Sequence, residues 1–165
     1  MKRSRTLLAI ALAIVLCSAV FAVMVTFAPI AHAQGSPPPP RAGCGWVNIA
    51  FNENDFSYGG ISGYELRAYL WADYNNTSHL ACHHMFTQVA VWTPSFGYGT
   101  TLWAYLDNCS GDAVRTASAP VLHGLHGVFT LVYTSSYTED CGQAGAAEYS
   151  NGNFMAIVWT VTSHD

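Results

Sequence analysis

The side chains of this sequence that could do chemistry fall into three sets: large aromatic rings, histidines and cysteines. Rings recur at alternate positions beside carboxylates and amides, as Glu65-x-Arg67-x-Tyr69-x-Trp71-x-Asp73, as His84-x-Phe86-x-Gln88 with Trp92 beyond, and as Trp103-x-Tyr105-x-Asp107. Alternation of this kind places side chains on one face of a strand. A flat ring stacks on the apolar face of a pyranose while carboxylates and amides exchange hydrogen bonds with its hydroxyls. Tyr69, Trp71, Phe86, Trp92, Trp103 and Tyr105 are therefore the expected ligand-binding residues, and a glycan or another cell-surface component is the expected partner. The competing use of such rings is to pack against a second layer.

The histidines invite a metal reading, because His79, His83 and His84 lie close together and His123-Gly124-Leu125-His126 adds two more. Imidazole is the usual ligand for zinc and copper outside the cell, and a site built from this chain would draw on His84, His123 and His126, with Asp107 behind them. Yet consecutive His83 and His84 point to opposite faces of a strand, and there is no His-Glu-x-x-His helix, so no cofactor is expected. Catalysis has no stronger mark. There is no Gly-x-Ser-x-Gly elbow, and Glu53, Asp55, Glu65, Asp73, Asp107, Glu139, Asp140 and Glu148 carry no spacing that says which of them meet. No catalytic residue is assigned. The expected function is an exported binding or surface-interaction module, with a small extracellular hydrolase or a metal-binding protein using the histidine cluster as the alternative.

The compartment follows from the N-terminus. Met1-Lys2-Arg3-Ser4-Arg5 is basic, the run from Leu7 to Ile30 is almost wholly apolar, and Ala31-His32-Ala33 follows. That order is a secretory signal peptide over residues 1–33, cleaved before Gln34. The apolar run is long enough to cross a bilayer, so an uncleaved anchor over residues 7–30 is the alternative, and the only membrane attachment expected. Either way the basic stub stays inside and the domain goes out, secreted or extracytoplasmic. Removing residues 1–33 leaves Arg41, Arg67 and Arg115 against ten carboxylates, a formal charge of −7 with no lysine. Such a surface repels phosphate backbones and excludes nucleic acid as a partner, leaving neutral or cationic ones.

Four cysteines remain in that mature chain, an even number that predicts two disulfides in an oxidising compartment. The runs flanking Pro94 to Gly99 read as a hairpin turning near Phe96. In that register Cys82 faces Cys109, which leaves Cys44 for Cys141. The same register sets His84 opposite Asp107, Phe86 opposite Tyr105 and Gln88 opposite Trp103, with Met85, Val89, Val91, Leu102, Ala104 and Leu106 on the core face.

The elements that must hold these residues are strands. Tyr, Trp, Phe, Thr, Val and Gly are abundant and exposed-helix formers scarce. Residues 34–42, with four successive prolines, favour a polyproline II rod and read as a spacer, though such a run is also a ligand type for aromatic grooves. Within the domain, residues 43–165, strands are expected at Gly45 to Asn52, Tyr64 to Tyr74, Leu80 to Thr93, Thr100 to Asn108, Val114 to Leu122, Val128 to Ser135 and Phe154 to Thr162. Seven strands predict one antiparallel β-sandwich, immunoglobulin-like or jelly-roll-like. The segments Asn54 to Gly60, Asn75 to Ser78 and Thr138 to Gly152 read as loops, the last with room for a short helix over Glu139 to Tyr149. Asn75, Asn76 and Asn108 head Asn-x-Ser/Thr triplets, which read as turn chemistry.

Overall fold

Alternating apolar and polar residues fit a pleated backbone, and among the described residues every regular element in the computed structural model is a strand. The structure describes residues 30–94, 99–121 and 127–164, so residues 1–29 of the expected signal, and both His123 and His126, lie outside the described residues. In chain order the strands are β1 (Ile30–Gln34), β2 (Cys44–Tyr58), β3 (Ile61–Asn75), β4 (Ala81–Thr93), β5 (Thr100–Asn108), β6 (Ala113–Val121), β7 (Val128–Tyr133), β8 (Tyr137–Thr138), β9 (Cys141–Ser150), β10 (Asn153–Trp159) and β11 (Ser163–His164).

They form two sheets. The first has the order β1-β7-β4-β3-β2, with β8 also beside β4; the second has the order β10-β9-β5-β6, with β11 beside β9. Pairing is antiparallel except where β1 runs parallel to β7. Because β1 contains the Ala31-His32-Ala33 triplet, cleavage before Gln34 would remove all of it but Gln34.

The inward faces of both sheets share one apolar core, with Leu66, Leu70, Met85, Val89 and Val91 on one side and Leu102, Leu106, Ala144, Ala146 and Val158 on the other. Burying these side chains is the main term holding the sheets together. The side where β2 lies over β10 is closed by polar bonds instead: Asn52 Nδ2 donates to the Trp159 carbonyl at 2.7 Å and Asn54 Nδ2 to the Ile157 carbonyl at 3.3 Å. These bonds occupy edge carbonyls of β10 that would otherwise be open to another strand.

The structure corrects three expectations. First, β4 and β5 are not a hairpin. The chain crosses the core between them, so β4 pairs with β3 and β7 while β5 pairs with β6 and β9. Cys82, at the start of β4, consequently lies beside the start of β2, and Cys109, just past β5, lies beside the start of β9. The disulfides are Cys44–Cys82 and Cys109–Cys141, with Cα atoms 6.6 and 5.5 Å apart, and not the pairs that the hairpin predicts. Second, residues 141–150 form a central strand, β9, rather than a loop or a helix. Third, Asn54 to Tyr58 continue β2 up to the Gly59-Gly60 turn, where both glycines have positive φ. Side-chain parity was independent of these errors, and all six residues expected on the core face are buried.

Candidate functional site

Crossing the core between β4 and β5 separates the six ring residues into two groups on opposite sides of the molecule. Tyr69, Trp71, Phe86 and Trp92 are on the outer face of the first sheet, and Trp103 and Tyr105 on the outer face of the second. His84 and Asp107 likewise part. His84 Nδ1 lies 3.5 Å from Asp73 Oδ2, and the His84 backbone N–H donates to Asp73 Oδ1 at 2.9 Å. Phe86 stands opposite Trp71, and Gln88 between Tyr69 and Tyr133, in place of the partners expected for them.

On the first sheet the strand register sorts the outer face into rows. At one end Trp46 meets Phe86 edge-on at 4.7 Å, and Phe86 lies parallel to Trp71 at 6.0 Å. Phe86 is only 2% exposed, so it is the floor of this cluster. The Trp71 indole nitrogen is closed off from solvent and has no hydrogen-bond partner among the described residues. In the middle, Phe51 packs on Tyr69 at 4.8 Å and remains 46% exposed.

At the far end Glu65 stands between Asp55 on β2 and Trp92 on β4. Trp92 packs on Phe129 at 4.7 Å and its ring passes over Gly127, where an added Cβ would overlap it. Gly127 thus leaves the space in which the indole lies. Beside it is a hollow of about 560 Å³ lined by Asp55, Phe56, Ser57, Ser62, Gly63, Glu65 and Trp92. Arg67 pairs with Glu65 and, at 3.5 Å, with Glu53, so two carboxylates share one guanidinium at this rim, and Asp55 lies beside them. Like charges set directly opposite, as Asp55 and Glu65 are, oppose the fold unless something comes between them. The hollow therefore offers an indole ring, two carboxylates and two hydroxyls within one small volume. Alternation marked Trp92 in the sequence, whereas Asp55 and Ser57 fall in a stretch that composition reads as a loop and Ser62 lies in no expected strand.

On the second sheet Trp103 stacks with Tyr105 at 6.2 Å, and Tyr105 leans on Trp159 at 5.9 Å. Both Trp103 and Tyr105 are half-buried. Burial raises the Tyr105 phenol, and neighbouring Tyr149 adds to the shift. Ile157 and Phe154, 39% and 57% exposed, extend this face along β10.

The metal reading gains little from the geometry. Among the described residues the close groups of ligating atoms are Cys109, Cys141 and His164, and Cys44, Asp73 and Cys82. Each contains a disulfide, whose sulfurs have no thiolate to offer. Asn75 and Asn108 act as turn formers: Asn75 Oδ1 accepts the N–H groups of Thr77 and Ser78, and Asn108 Oδ1 those of Ser110 and Asp112. No protein-family model, curated protein or solved structure matches this chain.

Proposed function

We propose that this chain is an exported carbohydrate-binding module and that its ligand seats on the outer face of the first sheet, with Trp92 as the stacking ring. The observation that carries the reading is the hollow in which Trp92, packed over Gly127, meets Asp55, Glu65, Ser57 and Ser62. Sugar recognition asks for this combination: a flat apolar plate for the ring face, and acceptors and donors at its edge for the hydroxyls. A surface at −7 with no lysine favours a neutral sugar over an anionic one. Two disulfides fit work outside the cell.

The scaffold behind this reading is an immunoglobulin-like sandwich in preference to a jelly roll. β4 pairs with β7 in one sheet and β5 with β9 in the other, and the hairpins β5–β6 and β9–β10 extend the second pair. Pairing of strand B with E in one sheet and of C with F in the other is a feature of immunoglobulin domains, and β4, β7, β5 and β9 would take those places in this reading.

The test is titration of the mature chain, residues 34–165, with β-1,3- and β-1,4-linked glucose hexasaccharides and with a wider glycan array. The expected result is saturable binding that Trp92→Ala weakens at least about tenfold, roughly 1.4 kcal/mol, with Trp103→Ala unchanged. Binding untouched by Trp92→Ala would remove the ring from the site, and no retained glycan at all would end the carbohydrate reading. Release of shorter sugars in the same titration would turn the reading to a hydrolase using Asp55 and Glu65.

A further inference from the structure

The proline-rich segment before the domain makes specific contacts with it. The Trp46 indole N–H donates to the Pro38 carbonyl at 2.7 Å, and Pro38 and Pro40 are each half-buried. Arg41 continues the attachment. Its backbone N–H donates to Asp73 Oδ2 at 3.2 Å, its Nη1 to the Cys82 carbonyl at 3.0 Å, and its own carbonyl accepts the Cys44 N–H at 2.9 Å. Asp73 is fully buried and also holds His84, and Cys82 is bonded to Cys44, so the anchors of this segment are themselves fixed.

The path of the chain says which surface it covers. Gln34 lies beside Val132 on β7 and Cys44 beside Asn75 on β3, so the residues between them pass from the β7 side of the first sheet toward its β2 side. Strands are spaced about 4.8 Å apart, and a polyproline II chain advances about 3.1 Å per residue, so the length suffices. Trp46 belongs to the outer-face cluster through Phe86, which places Pro38 over the ring cluster at the end opposite Trp92.

We infer that the Trp46–Phe86–Trp71 cluster is a polyproline-recognising groove and that its occupant is this chain's own run Pro37 to Pro40. The physics favours that occupant. Proline carbonyls are unshared acceptors, a donor on an aromatic wall is what they need, and a preformed polyproline II rod loses little entropy on docking. The segment is thus a strap held against the face, not a free tether. It leaves the Trp92 end of the sheet as the part open to a ligand. This inference does not depend on which ligand, if any, binds there.

Arg41 supplies a direct readout, since it is the first arginine of the mature chain and is followed by Ala42. Cleavage by trypsin after Arg41 needs the strap to lift, and when lifting and closing are fast its rate follows the population of the lifted form. The experiment compares the intact mature chain with Trp46→Phe, which keeps a ring and removes the donor. A second variant replaces Pro37 to Pro40 by Ser and Gly, at positions outside the core. For the wild type, cleavage after Arg41 slower than in a free peptide of residues 34–46 is expected, with Trp46→Phe speeding it about fivefold, the worth of one hydrogen bond. The Ser/Gly variant is expected to be at least as fast, with its thermal unfolding close to wild type. Equal cleavage of the wild type and the free peptide would overturn the strap. So would a Ser/Gly variant that folds and is cut no faster than wild type.

Discussion

Glu148 stands on the inward face of β9, opposite Leu102 and in line with Ala144 and Ala146. Its carboxylate is fully buried, Thr100 Oγ1 donates to Oε1 at 2.6 Å, and Oε2 has no partner among the described residues. Burial pushes the carboxyl up to about 7, with the Thr100 bond pulling the other way. An unfolded glutamate loses its proton near pH 4.5, whereas the folded chain keeps it until about pH 7, so the folded state holds the extra proton in that window. Stability from this group is complete below pH 4.5, falls as pH rises toward 7, and stays low above, by about 3 kcal/mol in all. The unfolding temperature of the wild type should therefore drop between pH 5 and pH 8. Glu148→Gln should flatten that drop and be the more stable protein at pH 8; two parallel profiles would show that Glu148 is not the titrating group. Nothing in the sequence set Glu148 apart from nine other carboxylates, because the composition of its segment hid the strand that turns it inward. Trp92 and Glu65, by contrast, were legible from alternation alone.

β9 shows at the level of elements why part of the fold escaped the sequence. Cys-Gly-Gln-Ala-Gly-Ala-Ala-Glu-Tyr-Ser is poor in strand formers, yet it sits between β10 and β5. Its small residues are there for their neighbours: the Trp159 ring lies over Gly145, where any Cβ would overlap it. Tertiary packing has overridden local preference. Gly145→Val should displace that ring and cost about 2 kcal/mol, lowering Tm by roughly 4–10 °C in thermal unfolding. An unchanged Tm would mean that Trp159 is not seated on Gly145. The strands with clean alternation, β3, β4 and β5, were readable to within a residue or so at most ends. What alternation does not encode is which sheet a strand joins. A hairpin across Pro94 to Gly99 and a crossing of the core have the same period, and choosing the hairpin mispaired the cysteines along with the facing residues. The disulfides that formed close loops with separations of 38 and 32 residues, each worth about 4 kcal/mol in the chain-entropy model.

As a whole the molecule presents two aromatic outer faces, a core shared by two sheets, and a β2–β10 side closed by Asn52 and Asn54. The first face combines its rings with a hollow that also holds carboxylates and hydroxyls. At its other end Trp46 is engaged by Pro38. Binding at Trp92 is directly measurable through the five tryptophans. Each indole N–H gives its own proton–nitrogen correlation signal, so a spectrum of the labelled mature chain reports on Trp46, Trp71, Trp92, Trp103 and Trp159 at once. During titration with the hexasaccharide that binds best, the Trp92 signal is expected to shift progressively to saturation while those of Trp103 and Trp159 stay in place. Movement of Trp103 and Trp159 with Trp92 unmoved would put the site on the second sheet and contradict binding at Trp92.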